Sequence, residues 1–198
     1  MKIKLFGTKI YLSFFFCAVF TIMLATDKTG FILPTFFAVI MHEIGHLFAM
    51  WVLDCQPKQI DITPASLKIV SGFSKQYKND ILIAAFGPCV NYVLFFTLYF
   101  NYLAFENKLT LYYALLNLIV GLFNSLPVSG LDGGTVLCSI LAKKYDISRA
   151  LLTVKIVSLI IATLIIAIGI VLTVKGNLNI SIYIIGIYLL IMGLIAKN

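Results

Sequence analysis

Residues 31–53 read FILPTFFAVIMHEIGHLFAMWVL, an apolar run interrupted near its middle by Met41-His42-Glu43-Ile44-Gly45-His46. At 1.5 Å per residue such a run is long enough, as a helix, to cross a hydrocarbon layer of about 30 Å. His42 and His46 are the protein's 2 histidines. Four residues is just over one helical turn, so both imidazoles project from one face and can reach one ion, with Glu43 beside them as a base. An ionisable group near a bilayer centre costs about 2.5 to 3.5 kcal/mol on insertion scales, so three within five residues point to a metal site rather than to helix packing.

The composition agrees with a membrane setting. Of 198 residues, 61% are apolar and 12% charged, and the mean hydropathy is +1.04. A soluble domain could not bury that much apolar surface. The surplus of 15 Lys and Arg over 8 Asp and Glu lies between apolar runs, which indicates a membrane surface and no nucleic-acid partner. Cys17, Cys55, Cys89 and Cys138 show no paired spacing and read as packing residues.

The fold class expected is an all-α polytopic membrane protein with about six transmembrane helices, at roughly 10–25, 31–53, 81–105, 109–141 (broken), 150–174 and 178–196. A start such as Lys2, Lys4 and Lys9 before an apolar run resembles a signal peptide, but no A-x-A cleavage site follows, so a retained helix is expected. Six spans place 12 of the 15 basic residues on one side, leaving Lys28, Lys108 and Lys175 on the other. The positive-inside rule then puts both termini in the cytoplasm, with a bacterial cell membrane as the expected location. Between the second and third spans, Gln59-Ile60-Asp61-Ile62-Thr63 alternates, Pro64-Ala65-Ser66 reads as a turn and Leu67-Lys68-Ile69-Val70 returns, which predicts a short cytoplasmic β-hairpin. The whole, 1–198, reads as a single membrane-embedded peptidase domain.

A catalytic zinc usually has three protein ligands and a water, so two histidines leave it one short. Asp132 is the other carboxylate within an apolar segment, in Asn124-Ser125-Leu126-Pro127-Val128-Ser129-Gly130-Leu131-Asp132-Gly133-Gly134. Pro127, Gly130 and the Gly133-Gly134 pair break the helix there. Non-helical backbone at membrane depth is tolerated only beside a protein cavity or water. The structural alternative is an Asp capping a helix that begins at Gly133. Two imidazoles and one carboxylate suit zinc among divalent ions.

Taken together, His42-Glu43-x-x-His46, then Phe86-Gly87-Pro88-x-x-Asn91, then Asn124-x-x-Pro127-x-x-x-Leu131-Asp132-Gly133-Gly134, the chain resembles the site-2 protease family of intramembrane metalloproteases. It is most similar to the compact six-span branch of stage IV sporulation protein FB. The match covers spans two to four; spans one, five and six fit in number and hydrophobicity only. The resemblance implies one Zn2+ per chain held by His42, His46 and Asp132, with Glu43 as catalytic acid and base. It also implies that Asn124 hydrogen-bonds substrate backbone or the developing oxyanion, and it leaves Asn91 open between that role and a bond across two helices. The C-terminal CBS domain that the sporulation branch often carries and the PDZ domain of other branches are not expected here, a departure from that branch's pattern.

The activity so implied is that of a zinc metalloendopeptidase in regulated intramembrane proteolysis, cutting a transmembrane or juxtamembrane segment. Its partners would be the lipid bilayer and a single-span membrane protein, such as an anti-sigma factor or a membrane-tethered sigma precursor. The rival readings are a zinc transporter, which would want ligands at several depths, and a catalytically inactive membrane scaffold or chaperone.

Overall fold

The computed structural model describes residues 2–5, 8–12, 21–28, 30–55, 57–63, 66–71 and 77–195. The chain divides into two compact units, Met1–Leu122 and Phe123–Asn198.

The first unit holds a four-stranded sheet in the order β1-β2-β3-β4, formed by Lys2–Leu5, Thr8–Leu12, Pro57–Thr63 and Ser66–Ser71. β1 and β2 pair antiparallel, β2 runs parallel to β3 with Ile10 opposite Ile60, and β3 and β4 pair antiparallel with Ile60 opposite Ile69. The turn residues 64–65 lie outside the described residues.

The sheet corrects the start of the expected first span, 10–25. Thr8–Leu12 is a strand and residues 21–26 are helical, while residues 13–20 lie outside the described residues. Ile10 and Leu12 alternate with Lys9 and Tyr11, a period of two that suits a pleated strand. The ladder partner is 50 residues downstream, so the pairing that decides the structure is invisible to a local count of apolar residues.

Helix α1 is Ile32–Val52. Its entry is fixed by Asp27, whose carboxylate accepts from the Gly30 amide at 3.0 Å and the Ile32 amide at 2.9 Å. That satisfies an amide left orphaned at the helix start. The helix is two-faced in a sense inverted from a soluble one. Leu33, Phe37, Ile44, Phe48 and Trp51 point outward, whereas Ala38, His42, Gly45, His46 and Ala49 are buried. Small and polar residues at a helix contact with large apolar ones outside is the pattern of packing in lipid.

The buried face of α1 meets α2, Tyr77–Phe105, which carries Pro88 in its interior. A Cβ at Gly45 would stand 2.7 Å from the Phe86 carbonyl oxygen, so the two backbones approach as only glycine permits. Helix α3, Lys108–Asn124, follows, its last two residues belonging to the second unit.

The second unit contains α4 (Asp132–Lys144), α5 (Ile147–Val174) and α6 (Ile180–Ile195). Between α3 and α4, residues 125–131 are non-helical, as the Pro and Gly residues of this segment require. Val128 and Leu131 anchor the loop in an apolar cluster with Ala162 of α5 and Leu189 of α6. Gly130 takes φ of 88°, the left-handed region that favours glycine. A Cβ on Gly133 or Gly134 would collide with the carbonyls of Ser125 and Val128, so the loop folds tightly over the first turn of α4.

Among the described residues, α1, α2 and α5 are long and apolar enough to cross a membrane, and α3 and α6 are shorter apolar helices.

Candidate metal centre

Helix α1 brings His42 and His46 together in the first unit. Both are buried, at 3% and 7% exposure, and their rings meet edge to face with centroids 4.7 Å apart. Each ring is oriented through Nδ1. His46 Nδ1 donates to the Ile83 carbonyl of α2 at 2.8 Å, and His42 Nδ1 donates to Asn91 Oδ1 at 2.7 Å. A neutral imidazole with its proton on Nδ1 has its lone pair on Nε2.

The two Nε2 atoms then face each other at 3.1 Å. Two lone pairs at that distance repel, and a cation between them converts the repulsion into ligation. Zinc–nitrogen bonds of about 2.0 to 2.1 Å at a tetrahedral angle separate two ligand nitrogens by about 3.3 Å. The pair therefore fits a zinc ion, and the carbonyl or amide acceptor behind each ring is the usual support of metal-bound histidines.

Packing on α2 holds this geometry. Gly87 lies against both rings, and a Cβ there would run into the His46 imidazole and approach His42. Glu43, the residue after His42, is half-buried on the same helix.

The remaining predicted site residues belong to the second unit. Asn124 ends α3 and Asp132 opens α4, so they flank the 125–131 loop; both are half-buried. Asp132 is not the cap of its helix. Leu131 holds the cap position and Asp132 stands in the first turn, where a carboxylate is favoured by the positive end of the helix dipole. The backbone amide of Ser129 donates to the Ser158 hydroxyl at 2.8 Å, fixing the loop three residues ahead of Asp132.

The sequence leaves Asn91 open between substrate contact and a bond across helices. The structure places it fully buried, with its amide nitrogen donating to the Ala38 carbonyl at 3.0 Å and to Asn117 Oδ1 at 3.1 Å, and its oxygen taken by His42. Every polar atom of the amide is occupied within the unit, so Asn91 is a support for His42. Asn117, also buried, was missed; its only sequence signal is an amide in the middle of an apolar helix.

No family model matches the sequence. The chain is 30% identical over 116 residues to a zinc metalloprotease of Methanocaldococcus jannaschii, covering 56% of this chain. It spans about a third of that relative's length, 34%. Among solved structures, a site-2 protease from Methanocaldococcus jannaschii superposes with a TM-score of 0.73 at 20% identity, over 100% of this chain and 95% of that one. The chain is thus similar to a curated zinc metalloprotease in sequence and to a site-2 protease in fold. With its apolar helices, the chain is a multi-pass membrane protein.

Proposed function

We propose that the chain is an intramembrane zinc metalloendopeptidase of the site-2 protease type. The observation that carries this reading is the facing Nε2 pair of His42 and His46, 3.1 Å apart, inside a helix apolar enough to cross a membrane. Such a pair has no evident packing role, and Glu43 follows His42 directly. In this reading one Zn2+ per chain is held by His42 and His46 of the first unit and Asp132 of the second. The chain has six spans with both termini in the cytoplasm.

Bound there, zinc would polarise the scissile carbonyl and lower the pKa of water to about 7. Glu43 accepts a proton from the attacking water as its oxygen adds to the carbonyl carbon, and returns it to the leaving amine nitrogen as the C–N bond breaks. The side-chain amide of Asn124 donates to the developing oxyanion, a contribution typically worth about 2.7 to 4 kcal/mol. Asn91 takes no part in this step, being occupied with His42.

A substrate helix hides its carbonyls in hydrogen bonds and must be extended before it is cut. Strand β4 is an edge of the sheet, and an edge strand can pair with an extended segment. The substrate class proposed is a single-span membrane protein with a regulatory cytoplasmic part, of the anti-sigma or tethered sigma-precursor kind, cut within or next to its span.

The test is cleavage of such a single-span substrate by the purified chain in lipid vesicles. Product formed by the wild type, abolished by a zinc chelator and restored by added zinc, supports the reading. Cleavage indifferent to chelation would overturn it.

A further inference from the structure

We infer that Asn91 and Asn117 form a directional amide relay that locks His42 with its proton on Nδ1 and its lone pair toward the ion. The inference rests on the proposed metal centre, but it comes from a different observation, the order of donors and acceptors behind the ring.

Two backbone carbonyls set that order, because a carbonyl can only accept. Asn117 Nδ2 donates to the Tyr113 carbonyl at 2.9 Å, one turn back in α3. Asn117 must therefore present Oδ1 to Asn91, whose Nδ2 donates to it and to the Ala38 carbonyl of α1. With both hydrogens of its amide so directed, Asn91 has only Oδ1 to offer His42, and Nδ1 must donate. Turning Asn91 over would set its oxygen against the Ala38 carbonyl and Asn117 Oδ1, and turning Asn117 over would set its oxygen against the Tyr113 carbonyl and its amide hydrogens against those of Asn91. The relay spans three helices without access to water, Asn91 being 0% exposed, His42 3% and Asn117 5%. In so dry a place each bond is strengthened and each mismatch is costly. Gly121, one turn after Asn117, supplies the close approach: a Cβ there would stand 3.2 Å from Asn91 Cβ.

His46 needs no such device, since the Ile83 carbonyl fixes its tautomer directly. Behind His42 Nδ1 stands Asn91 Oδ1, and the relay transmits the same instruction through two side chains. Asn91 and Asn117 are positioning residues for the ion, not catalytic ones.

The 2 histidines of the chain make the test a two-signal experiment. The full-length protein, labelled with 15N-histidine, is studied metal-free in detergent, and zinc affinity is measured by chelator competition on the same samples. In the wild type both imidazoles carry the proton on Nδ1. In Asn91→Leu the His42 signal shifts toward the Nε2–H form, His46 does not move, and zinc affinity falls about 10- to 100-fold, the usual effect of losing a partner behind a ligand. Asn91→Asp retains an acceptor toward His42 Nδ1 and so keeps the tautomer, while its second oxygen faces the Ala38 carbonyl and Asn117 Oδ1 and lowers the unfolding midpoint. Asn117→Leu shifts His42 in the same direction by less and weakens zinc no further in the Asn91→Leu background. It also serves as the readout if Asn91→Leu fails to fold. A His42 that stays Nδ1–H in Asn91→Leu or is unmoved in Asn117→Leu, an unchanged zinc affinity in Asn91→Leu, or additive losses from the two asparagines would overturn the relay. A wild type without zinc affinity whose His42 still responds to Asn91→Leu would overturn the metal centre and leave the relay standing.

Discussion

The Ser158 hydroxyl accepts from the Ser129 amide at 2.8 Å and donates to the Val154 carbonyl at 2.7 Å, with Ser158 fully buried in α5. A helix outside the motif-bearing region therefore holds the loop that leads into Asp132. Backbone that leaves a helix inside an apolar solvent must find its partners within the protein, and this hydroxyl is one of them. Ser158→Ala would bury the Ser129 amide without its acceptor, a loss of about 1 to 3 kcal/mol. A lowered midpoint of thermal unfolding in detergent, and restoration by Ser158→Thr, is the expected result; an unaffected midpoint would mean the loop is held by its apolar anchors alone.

The two glycines of the α1–α2 contact are expected to fail differently. Gly87→Ala places a methyl into the His46 imidazole, so it should abolish zinc retention. Gly45→Ala sets a methyl 2.7 Å from the Phe86 carbonyl and should cost stability through overpacking, by about 1 to 3 kcal/mol. Zinc per chain and unfolding midpoints, measured on both variants, separate the two effects.

Glu43→Gln keeps the shape of the side chain and removes its basicity. It is expected to retain zinc and to slow cleavage by about 10²- to 10⁴-fold, the usual contribution of a general acid–base group. Single-turnover cleavage of a single-span substrate reads this, and a rate within a few fold of wild type would remove Glu43 from its role.

The loop ahead of Asp132 depends on Gly134, since a Cβ there would collide with the Val128 carbonyl. Gly134→Val should therefore open the Val128–Leu131 anchor and lower both stability and zinc occupancy. Protection of the Leu131 and Thr135 amides from hydrogen exchange would report the opening; the Thr135 amide donates to the Leu131 carbonyl at 3.1 Å in the intact turn.

Much of this was legible in the chain itself. The His42-Glu43-x-x-His46 spacing on an apolar run announced a one-faced helix and a metal pair, because helical periodicity is a local property. Pro127 and Gly130 announced a break, and the structure puts the non-helical segment at 125–131, whereas the Gly133-Gly134 pair lies in the first turn of α4 and admits the loop against it. What was not legible depends on partners distant in sequence. The strand Thr8–Leu12 is decided by its parallel neighbour Pro57–Thr63. The support behind His42 is decided by Asn91 and Asn117, 49 and 75 residues further on. Asn91 could be singled out as polar in an apolar helix and open to a bond across two helices, and the donor order shows that the bond serves His42.

The central claim is that the pair on α1 holds a catalytic zinc together with Asp132, and the most direct measurement is zinc per chain in purified wild type, His46→Ala, Asp132→Ala and Glu43→Gln. The account predicts close to one zinc in wild type and in Glu43→Gln, and near none in the other two. A wild type without zinc, or an Asp132→Ala variant that binds it as tightly as wild type, would contradict it.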